Sequence, residues 1–222
     1  MSGPSRPRWA KVERRTGETA VSLSVSTADS GEVDVSTGVG FLDHLVGALA
    51  KWAGWCLQIT VAGDACLTGP HHVAEDVGLA LGEALRALLW GPGPVPAAES
   101  APGVVRFGET LTPMDESLVL TALDISGRPL ARLAGFGDLR VAGAGGEFCG
   151  QDWEAFCGGL ALGGLLTLHQ RVIDGRDAHH LLEAAAKGLG RALGRACAPI
   201  EGGATGSQGN STKGRVRLEV TL

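Results

Sequence analysis

The chain has 222 residues, enough to bury one large core or two fused small ones. Hydrophobic residues make up 44% and charged residues 19%, a globular balance that excludes a disordered chain. A net charge of −5, with no basic run beyond RPRWAKVERR (6–15), gives no electrostatic footprint for nucleic acid.

Five dispersed cysteines without a CxxC pair read as small buried hydrophobes of a reducing compartment. There is no 18-residue apolar run and no apolar core in the first 30 residues. The expectation is a cytoplasmic protein with no membrane partner.

In chain order, RPRWAKVERR reads as a short frayed basic end. TAVSLSVST (19–27) alternates apolar and polar residues as a half-buried strand does. GEVDVST (31–37) repeats the alternation after the turn signal ADSG, so the two are expected to form a hairpin. FLDHLVGALAKWAG (41–54) has helical spacing, and WCLQITVAGD (55–64) is a strand. The segment from His71 to Gly91 is a long amphipathic helix with Val77, Leu81, Leu85 and Leu88 on one stripe. GPGPVPAAESAPG (91–103) is a loop or linker.

The order then recurs. Strands are expected at 117–126 and 128–136, a helix at 153–166, a strand at 166–174 and a long helix at 179–197. Each half ends helix, strand, HHxxE, helix. The reading is an α+β fold made by internal duplication of two similar halves. One half spans 1–92 and the other 103–200, with a flexible Gly-rich tail at 201–222.

The chemistry concentrates in those repeats. Four of the six histidines form two HH pairs, His71–His72 and His179–His180, each followed by a glutamate, Glu75 or Glu183. Adjacent helical residues are rotated by about 100°, so Glu75 falls about 40° from His71 and about 60° from His72. If both histidines of a pair lie in the helix, they cannot readily share one small ion but could serve two different ions, or one ion and a substrate. Imidazole and carboxylate without thiolate suit Mn, Fe, Zn or Ni. His44, on the preceding helix, could fold back as a further ligand, whereas His169 reads as a packed or hydrogen-bonded strand histidine. Ser211, Thr212 and Lys213 form a weak phosphate motif in a tail that otherwise reads as solvated.

Together these residues resemble the imidazoleglycerol-phosphate dehydratase family. The matching stretches are RRTGET (14–19), STGVGFLDHL (36–45), HHVAEDVGLALGEAL (71–85), RFGETLTPMDESL (106–118), LDISGRP (123–129), LTLHQRV (166–172), HHLLEAAAKGLGRAL (179–193) and STKG (211–214), in family order. The resemblance implies two α+β halves of the ribosomal protein S5 domain 2-like kind. It implies a homo-oligomer of 24 subunits with sites at subunit interfaces and two Mn²⁺ per site. The reaction it implies is dehydration of D-erythro-imidazoleglycerol phosphate to imidazole-acetol phosphate in histidine biosynthesis. Metal ligands map onto His44, His71, His72, Glu75, His179, His180 and Glu183, and catalytic roles onto Glu18, His72, Glu75 and Glu183. Substrate contacts map onto Glu18, Arg106, Arg128, Ser211, Thr212 and Lys213.

The sequence also departs from the family. WEAF places Ala155 where the family has a metal-binding histidine. Trp52 replaces another histidine, and Gly69-Pro70 and Asp177-Ala178 precede the two HH pairs. Loss of one ligand is expected to weaken one of the two ions, with water or Glu154 as substitutes. The alternative readings are a paralogue for a different substrate and an assembly or metal-binding subunit without turnover.

Overall fold

The computed structural model describes residues 9–27, 31–63, 69–91, 93, 95, 101–144 and 146–200. The first half contains β1 (Ala10–Arg15), β2 (Thr19–Ser26), β3 (Val33–Ser36), α1 (Gly40–Ala53), β4 (Cys56–Gly63) and α2 (Pro70–Trp90). The second contains β5 (Phe107–Met114), β6 (Ser117–Asp124), β7 (Leu130–Ala134), β8 (Arg140–Gly143), β9 (Gly146–Cys149), α3 (Gly150–Gly164), β10 (Thr167–Asp174) and α4 (Ala178–Cys197).

The sheet orders are β1-β2-β4-β3 and β5-β6-β10-β7. In both, the outer β3 or β7 runs parallel to its neighbour and the remaining pairs are antiparallel. The duplication is therefore a repeat of topology, interrupted by the β8–β9 hairpin ahead of α3. Residues Val21, Leu23 and Val25 point inward from β2 while the intervening residues are half-buried, as the period of two requires.

Two segments differ from expectation. The basic segment is no frayed end from Ala10 onward, because β1 pairs with β2 from Ala10↔Val25 to Arg15↔Ala20. Nor do the segments at 19–27 and 31–37 form a hairpin. β1 and β4 take both edges of β2, so β3 lies on the far side of β4, with Val35 opposite Ile59. Alternation within a segment shows that it is a strand, but not which neighbour it finds. Strands β5, β8 and β9 had no counterpart in the sequence reading.

The helices join the halves. α2 packs along α3, and α1 along α4, so each helical pair takes one member from each half. α2 also covers β1 and β2, while α4 covers β5 and β6. The result is a layer of helices between two sheets. Glycines make the close approach possible. A Cβ added at Gly82 would sit 2.6 Å from the Leu160 carbonyl oxygen, and one at Gly163 would sit 2.5 Å from that of Leu79. Gly78 and Gly159 meet the facing backbone in the same way. In the other pair, Gly194 faces the Ala53 carbonyl at 2.7 Å, and Gly190 faces that of Leu49.

This packing makes a controlled prediction. Gly163→Ala should destabilise the protein by about 1–3 kcal/mol through overpacking. Gly158→Ala, in the same helix but with nothing within 4 Å of an added Cβ, should be neutral or stabilise by up to ~1 kcal/mol. Urea denaturation of the two variants checks this; equal destabilisation would contradict the packing.

Candidate active site

Each HHxxE segment opens a helix, and the first turn is set by the residues before it. Gly69, at φ 77, precedes Pro70 in the first turn of α2. Asp177 caps α4, its Oδ1 accepting the His180 backbone N–H at 3.0 Å. With both histidines of each pair inside a helix, their rings stand nearly perpendicular, at 89° for His71–His72 and 85° for His179–His180. The paired histidines therefore face different surroundings, as the helical rotation requires.

α1 delivers a third histidine. The Thr37 N–H donates to Asp43 Oδ1 at 2.8 Å, which fixes the first turn of α1. The packing of α1 on α4 then lays His44 over the second HHxxE. His44 Nε2 and His179 Nε2 lie 3.2 and 3.1 Å from Glu183 Oε2. One donor atom from each of the three falls within 4.8 Å of the others, the one such group of three found among the described residues. Buried Phe41 contacts both rings, with centroids 5.9 Å from His44 and 5.1 Å from His179.

The cluster borders a cleft of about 420 Å³ lined also by Asp34, Lys51, Trp52 and Lys187. Lys187 Nζ lies 2.9 Å from Glu183 Oε1. Burial opposes ionisation of Glu183, but Lys187 and His44 outweigh it and hold the carboxyl below its ordinary range.

The remaining expected ligands are placed differently. His71 Nδ1 lies 3.9 Å from Asp152 Oδ1, and His72 Nδ1 lies 3.5 Å from Glu18 Oε2. Glu75 is exposed on the same helical turn. His180 Nδ1 lies 2.8 Å from Glu116 Oε2, and its Nε2 lies 3.5 Å from Asp115 Oδ2. The Glu116 carboxyl is held down to about 2 by the backbone N–H of Asp177, then by His180 and the backbone N–H of Arg176. Arg106, with its backbone in the left-handed region at φ 79, is bidentate on Asp124 at 2.6 and 2.9 Å, and Arg128 approaches the same carboxylate at 3.8 Å. His169, expected to be packed or hydrogen-bonded, is exposed on the outer face of β10. Ser211, Thr212 and Lys213, with the tail that carries them, lie outside the described residues.

Helix register decides what corresponds to His44 in the other half. Superposing the two HHxxE segments lays Gly82 on Gly190. Gly82 faces the Leu160 carbonyl and Gly190 that of Leu49, so α3 and α1 correspond at these residues. Counting back along both helices pairs His44 with Ala155. The same register runs Gly159 against Glu75–Leu79 and Gly163 against Leu79–Glu83. One turn earlier, Ala155 falls beside His71–Glu75. The half-site on α2 thus has a methyl group where the half-site on α4 has an imidazole.

Comparison with known proteins gives the family of the chain. The family profile described as imidazoleglycerol-phosphate dehydratase matches residues 37–193. The chain belongs to this family. The dehydratase of Desulforamulus reducens is 42% identical over 190 residues, covering 85% of this chain and 90% of that protein. That of Oleidesulfovibrio alaskensis is also 42% identical, covering 86% and 91%. Among solved structures, IGPD from Pyrococcus furiosus matches with a TM-score of 0.72 at 35% identity, covering 92% of this chain and all of that one. The dehydratase from Staphylococcus aureus matches at 0.71 and 30% identity, covering 86% and 99%. The family's named activity is that of a hydro-lyase. The chain's two α+β halves are the architecture of these dehydratases.

Sequence reasoning passed over Lys187, Asp152, Glu116 and Asp124. Lys187 was detectable by helical spacing, since His179, Glu183 and Lys187 share one face at intervals of four. Glu116 was detectable from the duplication: like Glu18, it immediately precedes the second strand of its half.

A carboxyl with a depressed pKa contributes stability above its unfolded value, about 4.3, and loses it as pH falls through the folded value. Lys187→Met removes the largest lowering contact, so Glu183 should titrate at higher pH in that variant. Carboxyl ¹³C chemical shifts followed against pH provide the check. An unchanged midpoint would mean that Lys187 does not hold Glu183 ionised.

Proposed function

We propose that the protein is a metal-dependent dehydratase that converts D-erythro-imidazoleglycerol phosphate to imidazole-acetol phosphate in histidine biosynthesis. The observation that carries this reading is the His44–His179–Glu183 cluster, assembled across the two halves of a chain in the dehydratase family. Its two imidazoles and one carboxylate, without sulfur, fit a borderline divalent ion such as Mn²⁺. His44, His179 and Glu183 would hold one ion, and His71 and Glu75 would contribute to a second, lacking a helix ligand at Ala155. His72 and His180 face away from these half-sites toward the hairpin turns, in keeping with sites completed by a neighbouring copy in a 24-subunit cytoplasmic assembly. Exposed Leu111, Leu120 and Leu162 supply apolar surface that such an assembly can cover.

Dehydration removes a carbon-bound proton and expels a hydroxyl from the adjacent carbon, and the enol formed relaxes to the ketone. Bound Mn²⁺ would supply Lewis acidity that stabilises negative charge developing on the substrate. Glu18, exposed at the turn beside His72, would carry a proton. Asp124 occupies two nitrogens of Arg106 and stands near the exposed Arg128. This fixes the direction of Arg106, which with Arg128, Ser211, Thr212 and Lys213 would seat the phosphate and so set the substrate's register.

Purified protein reconstituted with Mn²⁺ should turn over imidazoleglycerol phosphate, with metal content measured on the same sample. Glu183→Gln should lower both Mn²⁺ content and turnover by ~100-fold or more while remaining folded. Ala155→His should tighten the second ion by ~10–100-fold. Bound metal without turnover would favour a structural or altered-substrate role, and an unchanged affinity in Ala155→His would refute the register assignment.

A further inference from the structure

The duplication places a glutamate immediately before the second strand of each half, and each meets the second histidine of the HH pair. The two are held differently. Glu18 reaches His72 Nδ1 only at 3.5 Å, the long limit of a hydrogen bond, and none of the described backbone N–H groups donates to its carboxylate. Glu116 is fixed at both oxygens. Its Oε1 accepts the backbone N–H of Arg176 at 3.2 Å and of Asp177 at 2.9 Å, and the Ser117 hydroxyl at 3.2 Å. Its Oε2 takes His180 Nδ1 at 2.8 Å. Asp177, held by Glu116, in turn caps the His180 backbone.

We propose that Glu116 is a positioning residue that orients His180 for metal binding, as the immobilised counterpart of the more loosely held Glu18. This rests on the metal-dependent reading of the site. A carboxylate can only accept, so a short contact to Nδ1 puts the proton there and leaves the lone pair of the neutral ring on Nε2. A ring held at Nδ1 presents Nε2 in one direction, the arrangement by which an outer carboxylate orients a ligating histidine. Because both Glu116 oxygens are occupied, it stays in place during turnover. Glu18 retains the freedom that a proton carrier needs. The duplicated carboxylates have thus divided two tasks between them, with Glu116 fixing a ligand and Glu18 serving the chemistry.

The test uses metal-free full-length protein titrated with Mn²⁺ and followed by electron paramagnetic resonance of the free ion. Glu116→Gln retains an oxygen for the two backbone donors, but its amide nitrogen cannot accept from Nδ1–H. The expected result is Mn²⁺ affinity lower by ~10–100-fold. The melting temperature of the metal-free protein should stay within a few degrees, and the His180 Nδ1–H tautomer should lose population in ¹⁵N spectra of the ring. Asp177→Ala loosens the same loop without touching the ring, and it should lower the melting temperature more than the affinity. Unchanged affinity in Glu116→Gln would overturn the proposal, as would equal losses of stability and affinity in both variants, because Glu116 would then be a loop anchor alone. His180→Ala separates the two readings. If it weakens Mn²⁺ and Glu116→Gln does not, only the role of Glu116 fails; if it too leaves Mn²⁺ binding unchanged, His180 is no ligand and the metal-site assignment fails with it.

Discussion

The contact on which the rest depends is the backbone-to-backbone approach of helices from opposite halves. Gly78 and Gly82 of α2 lie against α3, Gly159 and Gly163 of α3 lie against α2, and Gly190 and Gly194 of α4 lie against α1. Side chains there would hold the axes apart. Without them, helix register is set to within a residue, because each glycine sits over one particular carbonyl. That register brings His44, from the first half, within 3.2 Å of Glu183, from the second. Neither half builds this cluster alone. The two copies are thus not independent modules, because α1 of the first carries His44 to the cluster on α4 of the second.

The repeat also shows where the copies have diverged. Topology and the HHxxE segments are common to both, and so is a glutamate at the turn before the second strand. The helix facing each HHxxE is not. α1 offers His44, whereas α3 offers Ala155 at the corresponding turn, with buried Asp152 3.9 Å from His71. The ties between hairpin turn and helix differ as well. In the first half, Arg14 and Thr19 bind buried Asp76, joining β1 and β2 to α2. In the second, Ala184 takes the place of Asp76, and Glu116 makes the connection through the backbone ahead of α4. The same geometric requirement, a fixed distance from turn to helix start, is met by different side chains.

Much of this was legible in the residues. The four helices and the strands at β2, β3, β4, β6, β7 and β10 follow from periodicity, and their order exposes the duplication. The different directions of the two histidines in each HH pair follow from helical rotation. β1 was obscured because its outward positions carry Lys11, Glu13 and Arg15, so its charge resembled that of a free end. β5 was obscured because Gly108 and Pro113 interrupt its alternation, although Gly108 is needed where the strand meets the Ala192 carbonyl of α4.

The sequence by itself determined the class of fold, the existence of a repeat, and the imidazole and carboxylate donors that suit a metal. These are local properties, carried by periodicity and residue type within a few helical turns. It did not determine that β3 pairs with β4 instead of β2, or that His44 joins the second HHxxE and not the first. Those are relations between segments far apart in the chain. Only the tertiary structure decided them, because strand partners depend on competition for sheet edges and helix partners on where glycines let two backbones touch.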